Sequence, residues 1–309
     1  VSEVELVCRP LTGSLADELA GPDPLPSRDE PGNGGGQREG AAGCVLYWLG
    51  QAGFVIRVLG RDEPTLVVDP YLSDSLEHKY RRKFFEHVRM MPAPISPAAL
   101  SDVDAVLCTH RHSDHMDPGT LPDIAATNQH SKFIVPEPEL PRALEIGLPR
   151  ERVVGLVPGR LLRLGPTTRV EAIPSAHETL EILSGGASRF VGYVIHAGAL
   201  SIYHSGDCIP YDGLGEVLAA RGIDLALLPA NGRDANRSDN GVPGNFTWDE
   251  AVELCARAHI LYLIPHHVGM FAFNTVDVAC FDLDWAASQG VTVVLPNVRQ
   301  RIELTVGMR

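Results

Sequence analysis

Short apolar runs, each closed by polar or turn residues, recur along most of this chain and set its predicted elements. Residues 45–53 and 54–59 predict a hairpin, and 65–69 a third strand ending in Asp69-Pro-Tyr71. Further strands are predicted at 104–108, 132–135, 153–157, 161–164, 169–173, 190–195, 200–204, 223–228, 260–264, 291–295 and 301–306. A short helix is expected within 1–20, another over 137–147, and one over 277–289. The helix over 247–258 opens on Thr247 and Glu250, the two ends of a capping box. Residues 21–40, with Pro22, Pro24, Pro26, Pro31 and Gly34-Gly-Gly36, read as a linker. The pattern therefore predicts an extension and linker over 1–43, then one layered domain over 44–309. Periodicity alone goes no further than α/β or α+β.

Composition narrows the function classes. With 44% apolar and 21% charged residues the chain has an ordinary globular make-up, and a net charge of −13 argues against nucleic acid as a partner. Nowhere do eighteen apolar residues run together, so no membrane span is predicted. Acids stand near the N-terminus where a secretory leader carries bases, which predicts a cytoplasmic protein. Six scattered cysteines with no Cys-x-x-Cys pair fit free thiols in a reducing compartment.

One loop concentrates the candidate chemistry. The run from Thr109 to Asp117 holds three histidines and two aspartates in nine residues, directly after the apolar run 104–108. A buried strand pins one end of such a loop, so its side chains can converge. Three later segments follow strands in the same way and offer His177, Asp207 and His266-His267. Imidazole and carboxylate donors without thiolate suit Zn, Mn or Fe. Side chains alternate along an extended chain, so if the backbone is still extended there, His266 and His267 point to opposite sides.

The spacing His110-x-His112-x-Asp114-His115 resembles the signature of the metallo-β-lactamase superfamily. The opening strands, with Gly50-x-Ala-Gly53 and then Asp69-Pro70, are similar to the way chains of that fold begin. The resemblance implies a four-layer αββα sandwich. It also implies a hydrolase that uses hydroxide bound to one or two divalent metal ions, Mn or Zn. Carried over residue by residue, it gives His110, His112 and His177 to the first metal. Asp114, His115 and the last histidine go to the second, with Asp207 between the two. Ile264-Pro-His-His267 fits the superfamily's last ligand pattern with His267 as the ligand. Asp114 would orient the hydroxide and carry a proton to the leaving group. Asp69 reads either as a turn acid before proline or, by the resemblance, as a hydrogen-bond acceptor behind the metal loop.

Within the superfamily, the segments 48–53, 69–74, 109–115 and 264–267 are most similar to the L-ascorbate-6-phosphate lactonase-like branch. That likeness implies a small anionic, sugar-phosphate-like lactone as substrate. The basic run from His78 through Arg89 reads either as a solvated face or as an anion-binding flap. By the lactonase analogy, Arg89, Asn231 and Arg233 are the substrate-binding candidates. Rival readings are a phosphodiesterase acting on a small nucleotide, RNA or a phospholipid, and a metal-binding sensor without turnover. A di-iron redox role would need a flavin-binding partner domain, and the sequence offers none. Homo-oligomer formation is left open.

Overall fold

The computed structural model describes residues 3–21 and 43–307. Apart from Gly21, the Pro/Gly-rich stretch expected as a linker lies outside the described residues.

The first half of the chain supplies β1 (Glu3–Pro10), β2 (Gly43–Gly50), β3 (Gly53–Leu59), β4 (Thr65–Val68), β5 (Ala105–Leu107), β6 (Lys132–Pro136) and β7 (Val153–Leu156). The second half supplies β8 (Leu161–Arg163), β9 (Thr168–Pro174), the two-residue strands β10 (Ala176–His177) and β11 (Thr179–Leu180), β12 (Val191–Ala197), β13 (Leu200–His204), β14 (Leu225–Pro229), β15 (Tyr262–His266) and β16 (Thr292–Val293). The final strand, β17 (Gln300–Gly307), returns to the first sheet. One sheet runs β1-β17-β2-β3-β4-β5-β6-β7, the other β16-β15-β14-β13-β12-β9-β8. The helices are α1 (Leu15–Ala20), α2 (Ser75–Tyr80), α3 (Leu121–Thr127), α4 (Leu140–Glu145), α5 (Leu214–Ala219), α6 (Ala235–Asp239), α7 (Trp248–Arg257) and α8 (Leu283–Ser288).

Alternation along the strands stacks these elements. Cys44, Leu46 and Trp48 of β2 share one core with Tyr193 and Ile195 of β12 and Leu225 and Leu227 of β14, so this core lies between the sheets. Val45, Tyr47 and Leu49 point the other way, into a second core with Leu15 of α1, Leu121 and Ile124 of α3 and Ala143 of α4. Val194, Ala226 and Leu228 do the same on the second sheet, against Leu218 of α5, Val252 of α7 and Ala286 of α8. The layers are thus helix, sheet, sheet, helix, the αββα sandwich. Strands covered on both faces read as continuous apolar runs, which is why their sequences lack a polar side.

Strand direction places the loops. β4 to β7 are parallel, as are β13 to β16. Segments that follow the carboxyl ends of β4, β5, β13 and β15 bring Asp69, the histidine-rich loop, Asp207 and His267 together, where open α/β sheets place their sites. Tyr193 ties the sheets together at this edge, its hydroxyl donating to the Cys108 carbonyl at 2.9 Å just before the loop.

Some elements differ from expectation. The first twenty residues hold a strand as well as a helix: β1 pairs with β17 from Glu3↔Gly307 to Pro10↔Gln300. Val4 and Leu6 pack on the inter-sheet core while Glu3 and Glu5 face out, a short alternation overlooked in favour of a helix. Residues 3–10 therefore extend the first sheet. The helix expected over 277–289 starts later, because Asp277 caps a separate 3₁₀ turn and Asp282 caps α8. The strand expected over 291–295 shrinks to Thr292–Val293. All six cysteines are free, and among the described residues no helix is long and apolar enough to cross a membrane.

Replacing Tyr193 with Phe leaves the buried Cys108 carbonyl without this donor. The expected loss is about 1–2 kcal/mol of unfolding free energy, read by chemical denaturation.

Candidate metal centre

Asp69 follows β4 and is fully buried, with φ at +43°, a conformation few non-glycine residues adopt. Its carboxylate accepts from the Thr109 backbone N–H at 2.8 Å, from the Thr109 hydroxyl at 2.6 Å and from His115 Nδ1 at 2.7 Å. The His115 bond turns its Nε2 away from Asp69 and toward Asp114 and Asp207. Thr109, its own proton engaged by Asp69, stands 3.1 Å from His110 Nδ1 and can accept from it, which frees His110 Nε2. One buried acid thus fixes two histidines of the loop.

Asp117 braces the other end of the loop. Its carboxylate accepts from Ser73, Ser75 and Thr120 hydroxyls and the Gly119 N–H. On the second sheet, His204 is fully satisfied: Nε2 donates to the Ala52 carbonyl at 2.8 Å, and Nδ1 accepts from Gly206 N at 3.0 Å. Gly206 has φ at +60°, and a Cβ there would meet Thr109 at 2.6 Å, so only glycine lets the Asp207 turn approach the histidine loop.

Three groups of donors result: His110, His112 and His177; His110, His115 and Asp207; Asp114, His115 and His267. Asp207 Oδ2 lies 3.9 Å from His177 Nε2, and its Oδ1 lies 3.3 Å from His115 Nε2 and 3.4 Å from His267 Nε2. Asp207 therefore stands between the two halves. His267, at φ +61°, faces the cluster, whereas His266 turns behind it and stacks on His204 with ring centroids 4.8 Å apart. Phe190 walls the first half, its ring 5.1–6.0 Å from those of His110, His112 and His177.

The donor set fits a cation. His110 Nε2, His115 Nε2, both ring nitrogens of His177 and Asp207 Oδ1 are buried without a hydrogen-bond partner. Such orphaned groups cost about 1–3 kcal/mol each unless something bonds them. Charge divides the cluster. Burial pushes His110 and His112 down and takes His177 to about 4, so these three are neutral donors at pH 7. Burial also opposes charge on His267, but Asp207 and Asp114 override it and lift His267 to about 9. His115 is raised well above the usual histidine range despite burial, by Asp207, Asp69 and Asp114. Asp114 and Asp207 are held well below the usual carboxylate range against their burial, by His115 and His267. An arriving cation would replace the protons on His115 and His267.

The profile of the Beta-lactamase superfamily domain matches residues 65–268, about two thirds of the chain. The chain belongs to the metallo-β-lactamase superfamily. A metal-dependent hydrolase of Myxococcus xanthus is 28% identical over 234 residues, 73% of this chain and 71% of that protein. The probable L-ascorbate-6-phosphate lactonase of Escherichia coli is 28% identical over 141 residues, 41% of this chain and 39% of that protein. A metallo hydrolase of Ignicoccus hospitalis shares the fold, with a TM-score of 0.60 over 84% of this chain and 98% of its own, at 17% identity.

Of the cluster, His112, Asp114, His177, Asp207 and His267 line a cavity of about 150 Å³, with Leu76, Lys79, Tyr80, His87, Val242 and Asn274 among the other lining residues. The three expected substrate-binding residues do not line it. Arg89 is turned inward, donating to the Tyr71, Ser73 and Met91 carbonyls and lying over the Tyr71 ring. Arg233 is spent on a bidentate pair with Glu250. Asn231 is buried in amide contacts with Asn245 and Asn274. The basic run does reach the cavity, but through Lys79, with His87 stacked on Tyr80 at 4.1 Å and packed on Phe271 and Phe273. Reading Arg89 as the anion binder weighed charge and missed its inward neighbours. Gln51 is a further missed residue, its amide nitrogen 3.0 Å from Asp114 Oδ2.

Metal binding near pH 7 should release protons, because the metal-free His267 carries one below about pH 9. Apparent Mn affinity should rise about tenfold per pH unit for each proton released up to that point. Calorimetry in buffers of different ionisation enthalpy reads the release, and a pH-independent affinity would contradict it. Asp69→Asn should weaken metal affinity about 10–100-fold by loosening Thr109 and His115.

Proposed function

We propose that this metallo-β-lactamase-superfamily chain is a metal-dependent hydrolase acting on a small anionic lactone of the sugar-phosphate kind. The observation that carries the reading is the convergence of seven donor residues, several with orphaned atoms; five of the seven (His112, Asp114, His177, Asp207 and His267) line one small cavity. In this reading His110, His112 and His177 hold one divalent ion, Asp114, His115 and His267 hold the other, and Asp207 serves both. Mn or Zn held there would lower the pKa of a water toward neutrality and polarise the oxygen of the bond to be cleaved.

The chain's own residues supply the rest. Asp114 has the more exposed of the two cluster carboxylates, 16% against 6% for Asp207, so it faces the cavity. There it orients the attacking water, takes its proton and returns a proton to the leaving oxygen. Lys79 brings a positive charge to the cavity wall and suits a phosphate or carboxylate on the substrate. The small volume favours a compact substrate over a polymer, in keeping with the net charge of −13. Likeness to the Escherichia coli lactonase, though over 41% of the chain, points to a lactone within the wider hydrolase class.

One observation favours a second reading. Phe84, Val88 and Met90, on the segment that follows Lys79 and Tyr80, are exposed by 75%, 50% and 57%. An exposed apolar segment of this kind, in the same stretch as the lining residue His87, suits a phospholipid phosphodiester.

A hydrolysis screen with Mn or Zn separates the two. It compares a phosphorylated sugar lactone, an uncharged lactone, bis(p-nitrophenyl) phosphate and phosphatidylcholine vesicles. The lactone reading expects turnover of the phosphorylated lactone that falls about 10²–10⁴-fold in Asp114→Ala. Lys79→Ala should raise KM for the phosphorylated lactone and leave the uncharged one unchanged. Turnover of phosphodiesters alone would move the chain to the second reading.

A further inference from the structure

The metal half formed by Asp114, His115, Asp207 and His267 has a neighbour outside the seven donors. Gln51 sits in the turn between β2 and β3, fully buried, with φ at +50°. A non-glycine residue holds that conformation only where its surroundings impose it. Here they do. The Gln51 carbonyl accepts from the Trp48 indole at 3.0 Å and from the His267 backbone N–H at 3.0 Å. The next carbonyl, Ala52, is held by His204. The same segment that carries His267 therefore clamps Gln51, and the side chain is delivered into the cluster.

Spacing within the cluster identifies what Gln51 can do there. From His115 Nε2 the distances are 3.6 Å to Asp114 Oδ2 and 3.3 Å to Asp207 Oδ1. From His267 Nε2 they are 3.5 Å and 3.4 Å to the same two atoms. Donors about 2.1 Å from one tetrahedral ion stand about 3.4 Å apart, and each of these four imidazole–carboxylate distances lies near that spacing. The Gln51 amide nitrogen stands closer, 3.0 Å from Asp114 Oδ2 and 2.9 Å from His267 Nε2. About 3.0 Å is the separation of ligands at right angles around such an ion, the spacing of an added ligand on one edge. Meanwhile Gln51 Oε1 is buried with no hydrogen-bond partner. An amide nitrogen has no lone pair for a cation and the amide oxygen has two, and the two ends are nearly equal in size.

We propose that Gln51 is an additional ligand of this ion: the carboxamide turns over, Oε1 replaces the nitrogen beside Asp114 and His267, and the orphaned oxygen gains a partner. The inference rests on the hydrolase reading, since it needs the ion that reading invokes. Three oxygens and two imidazoles without thiolate form a harder set than four donors alone, and they shift this half toward Mn relative to Zn. Gln51 is then a metal-selecting residue, distinct from Asp114, which faces the substrate.

The test is a crystal structure of the full chain grown with Mn, paired with Mn titrations of two variants. Oε1 within bonding distance of an ion at Asp114 and His267 is expected. In Gln51→Leu the second equivalent of Mn should bind at least tenfold more weakly and the first equivalent unchanged, whereas Gln51→Glu should retain both. Two ions with the carboxamide outside bonding distance would overturn the proposal and leave the hydrolase reading standing. Gln51→Glu losing the second ion as fully as Gln51→Leu would do the same, by showing that the N–H matters. No ion in the wild-type crystal would overturn both.

Discussion

The Asp69 carboxylate is the constraint on which the site depends. It is buried, it follows β4, and it takes three hydrogen bonds from the loop that follows the neighbouring strand β5. A buried carboxylate is tolerated when its lone pairs are used, and these bonds use them on the two residues whose orientation sets the cluster. Thr109 and His115 are thereby fixed before any ligand arrives. From the second sheet, Gly206 lies against Thr109 so closely that a side chain could not be accommodated, and Asp207 follows it. The two halves of the sandwich meet through this contact and through Tyr193.

The arrangement concentrates unfavourable terms at one edge of a well-packed fold. Orphaned imidazole nitrogens, two cluster carboxylates and two histidines raised above their usual range all lie within a few ångströms. A sequence optimised for stability alone would not assemble them. A divalent cation would bond the orphaned atoms, neutralise the carboxylates and displace the protons, so the donors and the charges point to the same ligand. The surrounding structure carries the strain: Asp69, Gln51 and His267 all have left-handed φ and all sit at this edge.

Much of this was legible in the sequence. Continuous apolar runs ending in polar clusters gave the strands, and the histidine spacing gave the loop. Alternation at 266–267 assumed an extended backbone, whereas His267 has left it, at φ +61°; the two rings diverge because the chain turns there, with His266 stacked on His204. The weaker readings concern groups whose role depends on partners distant in the chain. Arg89, Asn231 and Arg233 carry suitable chemistry, but Tyr71, Asn274 and Glu250 consume it, and no local pattern announces that. Gln51 was passed over because a single glutamine in a turn has no spacing to mark it. Its neighbours Gly50 and Gly53 marked only the turn. β1 escaped because its alternation is short and its partner lies at the other end of the chain.

The most direct test of the account is elemental analysis of the full chain purified without added metal and again after Mn or Zn is supplied and excess removed. About two first-row divalent ions per chain are expected in the loaded protein, and fewer when His110 or His267 is replaced by Ala. A wild-type protein that holds no ion after loading would contradict it, because the buried donors would then have to be satisfied in some other way.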